Sequence, residues 1–257
     1  MIYICVNRTP SLTVRRTLRQ EVGFGCPVHA NNQRCGNPYL TWHHFDPPWN
    51  KRQHHDPSGM IALCRMHHDM ADAGTYTKEQ LHAFKNAGGL SEVIGRFDWM
   101  RRNLLVSSGR AFSRQARTLK IKGQPVIWSN RDRDGHFLLN VKLPERPGKS
   151  RLLLEDNFWR LIGEPTDFEC PPNGRLISAT YPDGDHLRIS FNEAHDFTSL
   201  TKFLPNCGEI KDLTFPILVA NVHLTIGWAR IRMDDSGIHL GNRQVNSGRI
   251  YGSVRIV

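Results

Sequence analysis

Between Thr41 and Gly74 the chain reads TWHHFDPPWNKRQHHDPSGMIALCRMHHDMADAG, with three adjacent histidine pairs, His43-His44, His54-His55 and His67-His68, and Cys64 three residues before the last pair. Just upstream, CPVHANNQRC adds Cys26 and Cys35. Residues 21–75 hold Cys, His, Pro and Trp with little continuous apolar periodicity, so they cannot build a large core of their own. They read as a small unit stapled by metal. In a chain of this size without a secretory leader, cysteine clustered with histidine favours metal binding over a disulfide framework. Cys5, Cys170 and Cys207 have no histidine cluster beside them and read as small buried hydrophobes.

A structural zinc needs four ligands in a closed tetrahedron. Cys26 and Cys35 come from one loop, and Cys64 with His67 from CRMHH, where spacing i, i+3 at a helix start aims both side chains at one point. The expected set is therefore Cys26, Cys35, Cys64 and His67. The gap between the two loop cysteines is longer than the usual two to four residues, which makes His29 inside that loop a rival ligand. His68 directly follows His67, and Asp72 lies at i+4 from it on the same helix face, so these two are placed to share a hard divalent ion. Neighbouring side chains on a strand point to opposite sides, so His43 and His44 are expected to do different things.

Around this window the chain divides into four zones. Residues 1–20 read as a basic N-terminal arm or short helix, and 21–75 as the metal-stapled unit. Residues 76–106 read as a helical segment, in which Thr77 is an N-cap with Gln80 as its capping-box partner and Gly88-Gly89 is the stop. Helical spacing of Val93, Ile94, Phe97, Met100, Leu104 and Leu105, with Ser91 as a cap, extends that expectation to about residue 105. Arg96, Arg101 and Arg102 fall on it as a solvated face. Residues 107–257 read as a β-rich domain, sandwich- or barrel-like. PVIWSNRDRDGHFLLNVKL and RLISATYPDGDHLRISF are hairpins, the second alternating on both sides of Pro182-Asp183-Gly184. The single histidines there, such as His136 and His223, read as ordinary strand or loop residues. The fold class is α+β.

A formal net charge of +10, denser toward the N-terminal part, suits a polyanionic partner. No apolar run approaches the length that spans a bilayer. The opening residues lack a basic segment followed by a long apolar core, so a cytoplasmic protein is the expectation.

A pair of loop cysteines, an HHxxP segment and an L-C-x-x-[CH]-H segment opening a helix resemble an HNH endonuclease, the ββα-metal fold with an added zinc knot. Cys26, Cys35, HHFDPP at 43–48 and ALCRMHHDMAD at 62–72 carry the resemblance, over about a fifth of the chain. It implies metal-dependent hydrolysis of phosphodiester bonds in duplex DNA, as in bacterial defence or mobile elements. By position, His44 matches the general base, His43 the preceding metal ligand and His68 the final histidine. Cys64 and His67 match the second zinc pair. Structural Zn2+ and a catalytic Mg2+ or Mn2+ held by His43, His68 and Asp72 are the implied cofactors. Arg34, Lys51, Arg52 and Arg65 are near enough in sequence to bind phosphate, and Trp42 and Trp49 read as packing residues.

One position departs from the pattern. The motif asparagine falls on Gly59, and Asn50, His54, His55 and Asp56 are near enough to replace it, with His55 the weak favourite. A zinc-stabilised DNA-binding module without catalysis is the competing expectation. A hydrolase acting on something other than nucleic acid fits the charge less well. No membrane association is expected. The β-rich part carries no chemistry legible from its residues and is open to ligand sensing, partner binding, DNA recognition or homo-oligomerisation.

Overall fold

A computed structural model of the chain describes residues 7–30, 33–89, 92–143, 151–204, 212–246, 250–252 and 254–257. The fold is α+β and mostly strands, and it divides into two compact units, Met1–Ile94 with Asp167–Asn173, and Gly95–Thr166 with Gly174–Val257. Among the described residues no helix is long and apolar enough to cross a membrane.

The first unit begins with helix α1 (Leu12–Glu21), capped where Ser11 Oγ accepts from the Val14 N–H. A short ribbon, β1 (His29–Ala30) and β2 (Gln33–Arg34), is followed by a longer antiparallel pair, β3 (Leu40–His44) and β4 (Met60–Cys64). Helices α2 (Arg65–Asp72) and α3 (Lys78–Asn86) complete it. All five residues of β4 are buried, Met60 to Leu63 completely. A strand buried on both faces needs cover on both. Its core joins Leu18 and Val22 from α1 and its C-terminal end with Leu40, Phe45, Ala71 and Leu81.

Residues 12–21 take the short-helix alternative rather than the arm: Leu18 is fully buried, and Arg16 and Arg19 both bond the Asp167 carboxylate, Arg19 through two nitrogens. Helix α3 likewise belongs to this unit, so the metal-stapled zone borrows the apolar surface that it lacks. The expected capping box is present, with Thr77 and Gln80 bonding each other's backbone N–H.

The helix expected over the later part of 76–106 is absent. Val93–Arg96 and Leu104–Ser108 are strands, with no helix between them. A β-branched pair against Gly95 and the run Leu104-Leu105-Val106, all three buried, suit extended backbone. Ser91, Cys5 and Cys207 lie outside the described residues, and Cys170 is a buried free thiol.

The second unit is built on two mainly antiparallel sheets. The expected hairpins are present, Gln124–Arg131 with Phe137–Lys142 and Leu176–Thr180 with His186–Ala194, the latter closing at Thr180 opposite His186. Leu104–Ser108 joins the second sheet as a parallel neighbour of Ile217–Ile226.

Lys85 on α3 ties three elements of the first unit together. Its ammonium, 9% exposed, donates to the Met60 carbonyl at 2.7 Å and the Pro57 carbonyl, and pairs with Glu21 at 2.9 Å. Removing it strands two backbone acceptors and a half-buried carboxylate. Lys85→Ala should cost about 2–3 kcal/mol in urea unfolding; stability within 0.5 kcal/mol of wild type, roughly the surface-mutation range, would contradict that role.

Candidate metal centres

The β1–β2 ribbon explains the long gap between the first two cysteines. It pairs His29 with Arg34 and Ala30 with Gln33, with Cys35 N–H donating to the Val28 carbonyl and Gly36 N–H to the Cys26 carbonyl. Gly25 lies so close to this turn that a β-carbon there would fall 2.7 Å from the Gly36 carbonyl oxygen. Cys64 ends β4 and serves as the N-cap position of α2, and His67 points inward from the first turn.

Cys26, Cys35, Cys64 and His67 form a group that can hold a metal ion, their ligand atoms all lying within 4.8 Å of one another. Cys35 Sγ is 3.9 Å from Cys64 Sγ, and His67 Nδ1 is 3.3 Å from both Cys26 Sγ and Cys64 Sγ. The sulfur pair is much too far apart for a disulfide. It matches the edge of a tetrahedron, roughly 3.8 Å for bonds of about 2.3 Å. The Cys26 thiol lowers the Cys64 pKa by hydrogen bonding to its sulfur. His29 is exposed on the ribbon and stands outside the group.

Arg34, expected to meet phosphate, does not face a ligand. Its guanidinium donates to the carbonyls of Val22, Gly25, Cys26 and Gly89, and burial lowers its pKa. By bonding carbonyls on both sides of Cys26 and at Gly89, it braces the cysteine loop.

Strand alternation separates His43 from His44 as expected. In the β3–β4 register His43 lies opposite Ile61 and His44 opposite Met60. The His43 ring meets α2, with Nδ1 3.1 Å from Asp72 Oδ1 and its ring edge-on to His68 at 5.1 Å between centroids. His68 Nδ1 is 3.4 Å from Asp72 Oδ2, while its Nε2–H donates to the Trp42 carbonyl at 3.3 Å. That bond orients the ring and leaves Nδ1 as the free lone pair. His43, His68 and Asp72 are the second group able to hold a metal ion. Burial, then the His68 charge, lowers the His43 pKa against the pull of Asp72. A neutral imidazole is the ligand form.

His44 faces the loop 46–56. Its ring lies 4.6 Å from Trp49, 5.3 Å from His54 and 5.7 Å from His55. Neither nitrogen makes a well-formed hydrogen bond. Burial, then the charges of His54 and His55, pushes its pKa down to about 4. His54 is committed to the loop itself: Nε2–H donates to the Pro47 carbonyl and Nδ1 accepts from the Asp56 N–H. His55 Nε2–H donates to the Asn7 carbonyl at 2.7 Å.

His43, His44 and Asp72 line one cleft of about 560 Å³ together with Arg8, Trp49, Asn50, Lys51, Tyr76 and Lys78. Lys51, one of the lining residues, and its neighbour Arg52 are exposed. Arg65 instead pairs with Asp69 along α2, and Lys78 pairs with Asp46 at 2.5 Å. Arg8 was not legible as a site residue. It sits in an unpatterned segment far from the histidines, and only the tertiary fold brings it there.

No protein-family model, no curated protein and no solved structure matches the chain, so what these centres can do follows from their geometry alone.

Gly59 accounts for the missing asparagine. A β-carbon there would sit 1.9 Å from the Asp46 carbonyl oxygen and 3.0 Å from the His54 ring, and the Gly59 carbonyl itself accepts from Phe45 and Asp46 N–H groups. Gly59→Asn should therefore disrupt the turn rather than restore a motif, with a melting temperature several degrees below wild type. A variant as stable as wild type would refute this account of the glycine.

Proposed function

We propose that the first unit is an HNH-type endonuclease that hydrolyses phosphodiester bonds, with duplex DNA as its substrate. The observation that carries this reading is one ββα unit, β3–β4–α2, on which His43, His68 and Asp72 converge, with His43 and Asp72 lining the same open cleft as His44. Two metal roles are divided between consecutive residues of α2. The Cys3His group has the closed, sulfur-rich donor set of a structural zinc, whereas the two imidazoles and one carboxylate leave room for further ligands.

A divalent ion such as Mg2+ or Mn2+ at the second group would supply Lewis-acid stabilisation of the charge that develops on the phosphate and the 3′-oxygen. The residues do the rest. His44, neutral at pH 7, takes the proton from the attacking water as the water oxygen bonds phosphorus and the bond to the 3′-oxygen breaks. Its depressed pKa belongs to the empty cleft, since an incoming phosphodiester adds negative charge beside the ring and raises its basicity. The Trp42 carbonyl keeps the His68 ring in place, and the His54 bonds hold the loop that walls the cleft. The exposed cations Lys51 and Arg52 suit backbone phosphates, which position a duplex without reading its sequence.

Supercoiled plasmid incubated with Mg2+ or Mn2+ should be nicked by the wild type, and His44→Ala should lower the rate at least about 100-fold, the scale of a lost general base. Equal nicking by both proteins would contradict the mechanism. No cleavage of any nucleic acid with either metal would instead favour a zinc-stabilised binding module, the reading that Gly59 in the asparagine position invites.

Purified protein should carry one zinc per chain, absent from Cys64→Ser. That variant should melt at least roughly 10 °C lower, a loss of a few kcal/mol for a unit of this size. Full zinc content in Cys64→Ser would refute the ligand assignment.

A further inference from the structure

The middle histidine pair and the N-terminal segment meet at the cleft. His55 donates to the Asn7 carbonyl at 2.7 Å, and its ring lies 5.3 Å from Trp49, tilted 32° to it. On the other side of Arg8, Asn7 Oδ1 accepts from the Thr9 N–H, Pro10 is buried and Ser11 caps α1. The backbone around Arg8 is thus held at both ends, and its side chain lines the same cleft as His43, His44 and Asp72.

Arg8 differs from most of the arginines around it. Arg16 and Arg19 bond Asp167, Arg34 bonds four carbonyls and Arg65 bonds Asp69. Arg8 is exposed and, among the described residues, has neither an ion-pair nor a hydrogen-bond partner. Its side chain opens instead into the cleft that His43, His44 and Asp72 also line. An unpaired guanidinium at that point presents a planar fork of N–H donors that matches two oxygens of one phosphate.

We propose that Arg8 is a catalytic residue that contacts the scissile phosphate, and that His55 is the positioning residue that holds it there. This rests on the nuclease reading of the cleft and adds to it the group that neutralises the non-bridging phosphate oxygens. It also gives the His54-His55 pair two separate tasks. His54 ties the loop 46–56 to itself, and His55 ties the N-terminal segment to that loop. Arg8 forms no covalent bond in the reaction. It strengthens its contact as negative charge grows on the equatorial oxygens, so its loss should fall on kcat at least as much as on KM.

The test compares Arg8→Ala, Arg8→Lys, His55→Ala, His55→Gln and the Arg8→Ala/His55→Ala double variant in the full chain, with Mn2+ and plasmid DNA. Arg8→Ala should lower kcat/KM about 10- to 100-fold, with zinc content unchanged and melting temperature near wild type. Arg8→Lys, a point charge without the fork, should recover only part. His55→Ala should lower activity in the same direction, His55→Gln, which keeps an N–H donor, should recover much of it, and the double variant should be little worse than Arg8→Ala alone. Full activity in Arg8→Ala overturns the proposal, and additive losses in the double variant overturn the positioning role.

A second readout separates this proposal from the reading beneath it. Affinity for a short duplex is measured against salt for wild type and Arg8→Ala. Loss of one phosphate contact should make the salt slope shallower by about one. If the wild type cleaves nothing, the nuclease reading falls by itself. An unchanged slope then overturns the Arg8 assignment as well, and a shallower slope upholds the phosphate contact.

Discussion

The first unit depends on the opening turn of α2, where Cys64 and His67 face the cysteine loop while His68 and Asp72 face β3. Successive residues of a helix are rotated by about 100°, so adjacent histidines cannot serve the same centre. The pair His67-His68 therefore divides between a group of three thiols and one imidazole and a second group of two imidazoles and one carboxylate. Because both groups use the same two turns of helix, anything that fixes the first also fixes the second. On the proposed reading, the zinc is what sets α2 against β3 closely enough for His43, His68 and Asp72 to converge.

A second constraint comes from the strand. His43 and His44 leave β3 on opposite sides, one toward α2 and the other toward the loop that follows. Both still open into the same cleft, because β3 ends there and the chain turns at Gly59, where no side chain fits. Burial among other imidazoles keeps His44 neutral and without a hydrogen bond. An uncharged, uncommitted ring beside a potential ion site is what a proton acceptor requires. The aromatic face of Trp49 supports it, which is the packing role that its place beside the histidines suggested.

Much of the two candidate metal groups was legible in the sequence because the spacing within α2 is local. Cys64 to His67 and His68 to Asp72 are separations that a helix converts directly into proximity, and the alternation of a strand separates His43 from His44. The hairpins of the second unit were legible for the same reason, through turns such as Tyr181–Asp185 between alternating runs. What failed was non-local. Arg34 is a bracing residue because carbonyls of Val22, Gly25 and Cys26 and of the remote Gly89 surround it, and Arg8 lines the cleft next to Asn7, whose carbonyl His55 bonds. The segment after Ser91 carries a helical spacing of apolar residues, yet Leu104–Ser108 lies beside Ile217–Ile226 in a sheet. Such a pairing overrides local periodicity because the partner is more than a hundred positions away.

The claim that two metals occupy adjacent but separate centres is tested most directly by diffraction from crystals grown with Mn2+, with anomalous data collected at the zinc and manganese edges. The account predicts a zinc peak enclosed by Cys26, Cys35, Cys64 and His67, and a manganese peak bonded by His43, His68 and Asp72. A single peak shared between the two groups, or manganese bound only at Asp132, Asp134 and His136, where the second unit also gathers ligand atoms, would contradict it.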